Sequence, residues 1–236
     1  MIDIHQHLLF GIDDGAADEK EARAMIDACA KQGIETVVAT PHVWLGAERF
    51  PRESVQAVMR QILPYAESRG VKLLAGAEIL ISGVLLDSLE KSDLPVLGSS
   101  NLLLLEFLPE TYYPTMLSAV REMIARGYRP VLAHMERYDC LYRHPERVES
   151  LRNLGAVMQM NAHFVKRLHR FGARRFYYRL IKTGNIDCIA SDAHNCSSRP
   201  QLMLDAYNKL KKMFGRETAD RLTRENIQEL LLQNEN

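Results

Sequence analysis

The chain has 236 residues, 47% hydrophobic and 25% charged, with 30 basic and 30 acidic side chains that cancel to a formal net charge of zero. That length supports one sizeable core, and the longest apolar clusters, such as Leu102 to Leu105, are too short to cross a bilayer. Zero net charge supplies no global field for nucleic acid, which argues against such a partner, and the start lacks the basic-then-apolar pattern of a signal peptide.

The expectation is therefore a single domain over residues 1–236, cytoplasmic, without membrane insertion. Its four cysteines, Cys29, Cys140, Cys188 and Cys196, have no C-x-x-C spacing and read as reduced thiols.

The first stretch, Ile2-Asp3-Ile4-His5-Gln6-His7, alternates as a strand does, so His5 and His7 share a face with Asp3 one step deeper on it. Asp3 is open to two readings, an acceptor for a ligating imidazole or a buried acid bonded to backbone. An acidic, turn-rich loop from Gly11 to Gly15 carries Asp13 and Asp14. Apolar spacing then predicts a helix over Ala17 to Gln32 with a stop at Gly33, and the β-branched run Ile34 to Thr40 predicts a strand broken by Pro41 just before His42.

The cycle repeats: helix Ser54 to Arg69, strand Val71 to Ala77 reaching Glu78, a short helical piece Val84 to Lys91, strand Leu102 to Glu106, helix Pro114 to Arg126 and strand Pro130 to His134. It continues with helix Pro145 to Leu154, strand Ala156 to Asn161, helix Ala173 to Thr183, strand Ile186 to Asp192, and three helical stretches from Gln201 onward. Strands alternating with helices predict an α/β fold with parallel pairing, as an open doubly wound sheet or a closed barrel. No glycine-rich phosphate cradle follows the first strand, which weakens the nucleotide-binding form of the open sheet.

The residues at or just past the strand ends carry the chemistry: His5 and His7, His42, Glu78, Glu106, His134, Asn161, Asp192 and His194, with Asp14 available from the first loop. Ligands gather at that edge in parallel α/β architectures, because the loops there vary on a rigid scaffold. Asp192-Ala193-His194 repeats the i, i+2 logic of the first strand. Five histidines and four carboxylates without thiolate suffice for two or three divalent ions and suit manganese, iron or zinc better than magnesium or calcium. Asn161 binds metals poorly and reads as an orienting or structural amide.

Arg137 and Arg199 follow closely behind these ligands. A guanidinium holds phosphate oxygens bidentately, which points to phosphoryl recognition; the alternative is a carboxylate partner or a brace within the loop.

Taken together, His5-Gln6-His7, Thr40-Pro41-His42, Gly76-Ala77-Glu78, Leu105-Glu106-Phe107, His134-Met135-Glu136-Arg137-Tyr138 and Ser191-Asp192-Ala193-His194-Asn195, closing with Ser198-Arg199-Pro200, resemble the polymerase-and-histidinol-phosphatase (PHP) superfamily. The opening Met1 to His5, Asp13-Asp14-Gly15 and the His-x-Glu-Arg-Tyr and Ser-Asp-x-His-Asn signatures resemble, within it, the bacterial tyrosine-protein phosphatases of capsular and exopolysaccharide synthesis. The resemblance implies a distorted seven-stranded (β/α) barrel with a cluster of two or three metal ions, commonly manganese, at the C-terminal strand ends. It implies hydrolysis of phosphotyrosine on a partner, a membrane autokinase that controls polysaccharide chain length.

Carried over by position, His5, His7, Asp14, His42, Glu78, Glu106, His134, Asp192 and His194 are the implied ligands, and Arg137 and Arg199 the phosphate holders. One departure is the loop Val43-Trp44-Leu45-Gly46, where relatives are expected to be more polar or basic; it leaves substrate preference open.

The expected chemistry is attack by metal-activated hydroxide, with His42 or His194 available to protonate the leaving group where it is not fully committed to metal. None of the cysteines lies in a C-x5-R loop, so a thiol nucleophile has little support. His144, His163 and His169 read as surface or loop residues. The basic run Lys166, Arg167, Arg170, Arg174, Arg175, Arg179 and Lys182 reads as a solvated helix face or as a rim attracting an acidic phosphotyrosine peptide. Trp44 and Phe50 stand either at the site mouth or as pins of their loop. A phosphatase of a small metabolite such as histidinol phosphate and a non-catalytic metal-binding module are the competing readings, and homo-oligomerisation is left open.

Overall fold

The structure, a computed structural model, describes residues 1–44, 51–81 and 94–232. Strand β1 (Ile2–Gln6) leads to helix α1 (Glu19–Lys31), then β2 (Thr36–Ala39), β3 (His42–Trp44), α2 (Arg52–Ser68), β4 (Lys72–Ala75), β5 (Glu78–Leu80) and β6 (Leu102–Glu106). There follow α3 (Tyr113–Ala125), β7 (Arg129–Leu132), α4 (Pro145–Asn153), β8 (Val157–Asn161), α5 (Ala162–Lys166), α6 (Arg175–Lys182), β9 (Cys188–Ala190), α7 (Met203–Phe214), α8 (Arg216–Asp220) and α9 (Asn226–Leu232). The helical piece expected at Val84 to Lys91, the Trp44 side chain and residues 45–50 with Phe50 lie outside the described residues. No helix among the described residues is long and apolar enough to cross a membrane.

Local chemistry sets the boundaries. Asp18 caps α1, its side chain accepting from Glu21 N at 2.8 Å, and Gly33 at φ +75° turns the chain out of the helix as only glycine does without strain. The short helix α5, directly after β8, was not anticipated: a five-residue element shows too little period to be read from sequence.

All strand pairs are parallel, in the orders β1-β2-β4 and β3-β5-β6-β7-β8-β9. Nine strand segments are described where the sequence reading counted seven, and the surplus has a local cause. Pro41 lacks a ladder donor and separates β2 from β3, and Gly76-Ala77 separates β4 from β5. A Cβ on Gly76 would lie 2.8 Å from the Leu97 side chain and 2.9 Å from Val38, so only glycine fits that interruption. The sheet curls until residues past β9 meet β1: His7 N donates to Ala193 O and Asp192 N to His5 O, each at 2.9 Å.

Alternate residues of the buried strands enter two apolar clusters. Leu103 and Leu105 belong to the larger cluster, which also takes in residues of α1, α3 and α4, whereas Leu102 and Leu104 belong to a smaller one with Ile2, Ile4, Val38, Val131 and Val157. Both faces of the sheet are therefore dry, as in parallel sheets covered on either side.

Strand β1 carries a register shift: Asp3 pairs with Val37 but Gln6 with Ala39, so β1 has one residue more than β2 in that span. This bulge corrects the expectation that Asp3 shares a face with His5 and His7. Asp3 instead accepts from Ser191 N at 2.9 Å, from His5 N at 3.4 Å and from Gln201 Nε2 at 3.5 Å, the backbone-bonded reading of that acid. It ties β1 to the chain leaving β9. Asp3→Ala would orphan a buried Ser191 N–H, and we expect chemical denaturation to show a loss of about 1–3 kcal/mol.

Candidate metal centre

The strand ends deliver the predicted donors to one place. His5 Nε2 and His7 Nε2 lie 3.3 Å apart, both rings fully buried. Glu78 opens β5 just after the glycine interruption, and its Oε2 lies 3.1 Å from His5 Nε2, 3.3 Å from His7 Nε2 and 3.2 Å from His42 Nδ1. Its Oε1 is 2.9 Å from His134 Nε2. Glu106, at the end of β6, lies 3.4 Å from His134 and 3.7 Å from His42. Asp192 Oδ1 reaches His5 at 3.5 Å, His7 at 3.6 Å and His194 at 3.5 Å, while Asp14 Oδ1 reaches His42 at 3.5 Å and His194 at 3.4 Å.

Among the described residues three groups have ligand atoms close enough to share an ion: His7, Asp14, His42 and His194; His5, His7, Glu78 and Asp192; and His42, Glu78 and Glu106. His7, His42 and Glu78 each belong to two of them.

The donor chemistry fits divalent cations. Despite their neighbours, Glu78 Oε2, His134 Nδ1 and His194 Nε2 make no hydrogen bond although buried. Burial alone would deprotonate His7, yet Asp13 and Glu78 raise it to about 10, and Glu106 and Glu78 similarly raise His134 to about 9. Burial beside His7 draws His194 down to about 4, and the surrounding imidazoles hold the Glu78 and Asp192 carboxyls below their ordinary range despite burial. Without a cation, two imidazoles must hold protons to neutralise the acids; a bound ion replaces those protons.

The i, i+2 logic needs correction at Asp192 and His194. Strand β9 ends at Ala190, and Asp192 is in the left-handed region at φ +53°, so a turn rather than an extended strand brings the pair together. His134 likewise sits past β7 at φ +32°. Non-glycine residues held in this region are costly and mark positions that the surroundings over-determine.

Three orienting residues support the donors. Asp13 Oδ2 accepts from His7 Nδ1 at 2.7 Å and from His42 N at 2.8 Å, and its Oδ1 accepts from Gly15 N at 2.9 Å. Burial opposes ionisation of Asp13, but these donors hold it at about 2. Gln159 Oε1 lies 3.2 Å from His5 Nδ1 and accepts from His134 N at 2.7 Å. Asn161 Nδ2 donates to Asp192 Oδ2 at 2.7 Å, which gives this amide a definite orienting contact. Sequence reasoning missed Asp13 and Gln159: adjacent Asp13 and Asp14 cannot be told apart by pattern, although the alternation of Gln159 with Asn161 is a usable signal. Gly15 cannot be replaced cheaply, since a Cβ there would lie 2.1 Å from His7 O.

Both arginines make the carboxylate contacts of their alternative reading. Arg137 Nη2 lies 2.7 Å from Asp192 Oδ2, and Arg199 contacts Asp192 Oδ1 at 3.2 Å and Asp14 Oδ2 at 3.3 Å. Both are roughly two-fifths exposed and border a cavity of about 400 Å³, with Glu136, Asn161, His163 and Phe164. His163 thus stands closer to the site than expected, whereas half-buried His144 pairs with Glu146 at 2.8 Å.

Residues 1–232 match the family described as capsular polysaccharide synthesis, CpsB/CapC. The chain belongs to the CpsB/CapC family. It is 31% identical over 239 residues to the tyrosine-protein phosphatase CpsB of Streptococcus pneumoniae, covering 98% of each chain. It is 33% identical over 240 residues to the tyrosine-protein phosphatase YwqE of Bacillus subtilis, covering all of this chain and 92% of that one. A crystal structure from work on YwqE and CpsB, described as unique metal-dependent tyrosine phosphatases, superposes with a TM-score of 0.83 at 32% identity, covering 100% of this chain and 96% of the other.

Two outcomes test the fit of metal in this CpsB/CapC protein. Asp13→Asn removes the charge that fixes His7, so metal affinity measured by calorimetry is expected to fall about 10–100-fold. Because His7 and His134 carry protons at pH 7 without metal and must lose them to ligate, loading is expected to release protons and acidify weakly buffered solution. By the same sign, affinity weakens as pH falls.

Proposed function

We propose that this CpsB/CapC protein is a metal-dependent protein-tyrosine phosphatase that hydrolyses phosphotyrosine on an autokinase of bacterial polysaccharide synthesis. The observation that carries this reading is the gathering of nine nitrogen and oxygen donors beside two guanidinium groups at the mouth of a cavity. Relatives named tyrosine-protein phosphatases along almost the whole chain support it.

In this reading His5, His7, Asp14, His42, Glu78, Glu106, His134, Asp192 and His194 hold two or three ions. Nitrogen and carboxylate donors without thiolate favour manganese, with iron or zinc as alternatives. The interrupted segments β2/β3 and β4/β5 count as single staves of a seven-stranded PHP-type barrel, and residues 1–236 form one cytoplasmic domain.

Bound divalent ions supply a nucleophile near neutral pH and neutralise charge on phosphoryl oxygens. The chain's own residues do the rest. Arg137 and Arg199, each on a carboxylate and partly exposed, swing from Asp192 onto the phosphate, where a fork of N–H donors matches its oxygens better than a carboxylate already served by Asn161. His194, drawn down to about 4, is a neutral imidazole suited to ligation. Protonation of the leaving phenolate is a modest demand, and the more exposed His42 meets it only in a state where its imidazole is not fully committed to an ion. Cys29 and Cys188 are buried, and burial raises both thiols above their ordinary range, the opposite of nucleophile activation.

The test is turnover of a phosphotyrosine peptide and of histidinol phosphate by metal-loaded protein. Chelation is expected to abolish peptide turnover and manganese to restore it, while a Cys140→Ser, Cys196→Ser variant stays active. Preference for histidinol phosphate moves the substrate to a small metabolite, and full turnover by metal-free protein overturns the mechanism.

A further inference from the structure

A second cavity, of about 530 Å³, lies away from the ligand cluster. Its walls include Tyr142, Phe176, Asn185 and three arginines, Arg143, Arg175 and Arg179. The acid on its lining is Glu149, which accepts from Asn185 Nδ2 at 3.4 Å. Among the described residues no carboxylate pairs with any of the three guanidiniums, and Arg143 makes only a ring contact, 5.2 Å from the centre of Tyr142. In a chain of zero net charge this is a local concentration of uncompensated positive charge.

Three other members of the basic run are occupied otherwise. Lys166 pairs with Asp205 at 2.8 Å, Arg170 lies over Tyr178, and Arg174 lies over Phe164. Arg175 and Arg179 are left to face the cavity from α6, joined by Arg143 from a separate loop. Arg143 is held at φ +62°, a conformation costly for a side-chain-bearing residue, so the surroundings fix where its side chain starts. Beside Gly172 on the cavity wall stands Phe171, 81% exposed, an apolar side chain without a covering neighbour.

The two cavities are linked by aromatic rings. Phe164, on the wall of the cavity beside Arg137 and Arg199, packs edge-on against Tyr177 at 4.8 Å between ring centres, and Tyr177 stacks on Tyr142 at 6.0 Å. Those two steps bound the separation of the Phe164 and Tyr142 walls at about the length of three or four residues of extended chain, ~3.3 Å each. We infer that the Arg143, Arg175 and Arg179 cavity is a docking site for acidic residues of the substrate polypeptide, about three to five positions from the phosphotyrosine held at the metal centre. This rests on the phosphotyrosine reading and names the context that reading leaves open. The charge complements Asp and Glu side chains, the exposed Phe171 suits a polypeptide rather than a free anion, and the spacing of the two cavity walls fits an extended chain that reaches both.

The experiment compares kcat and KM of manganese-loaded protein on phenyl phosphate and on two phosphotyrosine peptides, one with Asp and Glu three to five residues from the phosphotyrosine and one with Ala there. Each substrate is also tested on the R143Q, R175Q, R179Q variant. The expected result is a preference of about tenfold for the acidic peptide, expressed in KM, reduced at 0.5 M salt and lost in the variant, with phenyl phosphate turnover unchanged. Equal turnover of both peptides by the unaltered protein overturns the docking site, as does a preference that survives in the variant. Failure on phenyl phosphate and on both peptides overturns the phosphatase reading itself.

Discussion

One buried carboxylate surrounded by four imidazoles governs this structure. Glu78 has no access to water, and His5, His7, His42 and His134 all lie within 3.3 Å of its two oxygens. Taking a carboxylate out of water is expensive unless opposite charge replaces the lost hydration. Here the neighbours are rings that are neutral near pH 7 unless something holds their protons, so the arrangement is stable only with shared protons or with cations. Everything around Glu78 serves that requirement: the glycine interruption that places it, the strand ends that aim the imidazoles and the second acids, Glu106 and Asp192, that widen the cluster.

The supporting bonds explain how five imidazoles can be held without collapsing onto the acids. Asp13 fixes His7, Gln159 links His5 to the backbone of His134, and Asn161 takes one oxygen of Asp192. Each of these uses the atom of the donor that faces away from the centre, leaving Nε2 of His5 and His7 turned inward. Asp3 works one layer further out, locking β1 to the turn that carries Asp192 and His194. Ligand orientation is thus set by contacts from the loop after β1, from β8 and from the chain leaving β9, which makes the centre a property of the closed end of the sheet rather than of any one motif.

The charge distribution outside the centre follows a different logic. Arg137 and Arg199 are partly exposed and rest on Asp192, a carboxylate that a metal ion or a phosphate would compete with them for. Arg143, Arg175 and Arg179 rest on no carboxylate among the described residues. In the proposed function the first pair serves the reacting phosphate and the second set the polypeptide that carries it, with the rings of Phe164, Tyr177 and Tyr142 packed between the two cavities.

Much of this was legible in the residues because strand ends are punctuated chemically. The alternation in Ile2 to His7, the continuous apolar run Leu102 to Leu105, the glycine stops after α1 and α3 and the recurrence of His, Glu and Asp at the ends of apolar runs made the α/β alternation and the candidate donors legible, since side-chain direction and helix termination are local properties of backbone geometry. What local geometry does not contain is register. The extra residue in β1 that turns Asp3 away from the imidazoles, the left-handed turn at Asp192, the choice of Asp13 rather than its neighbour to fix His7 and the meeting of Arg143 with α6 all depend on which distant segments pack together. The sequence alone determined which chemistry is available; only the curled sheet decided which atoms face one another, because contacts between residues remote in the chain are set by packing and not by spacing.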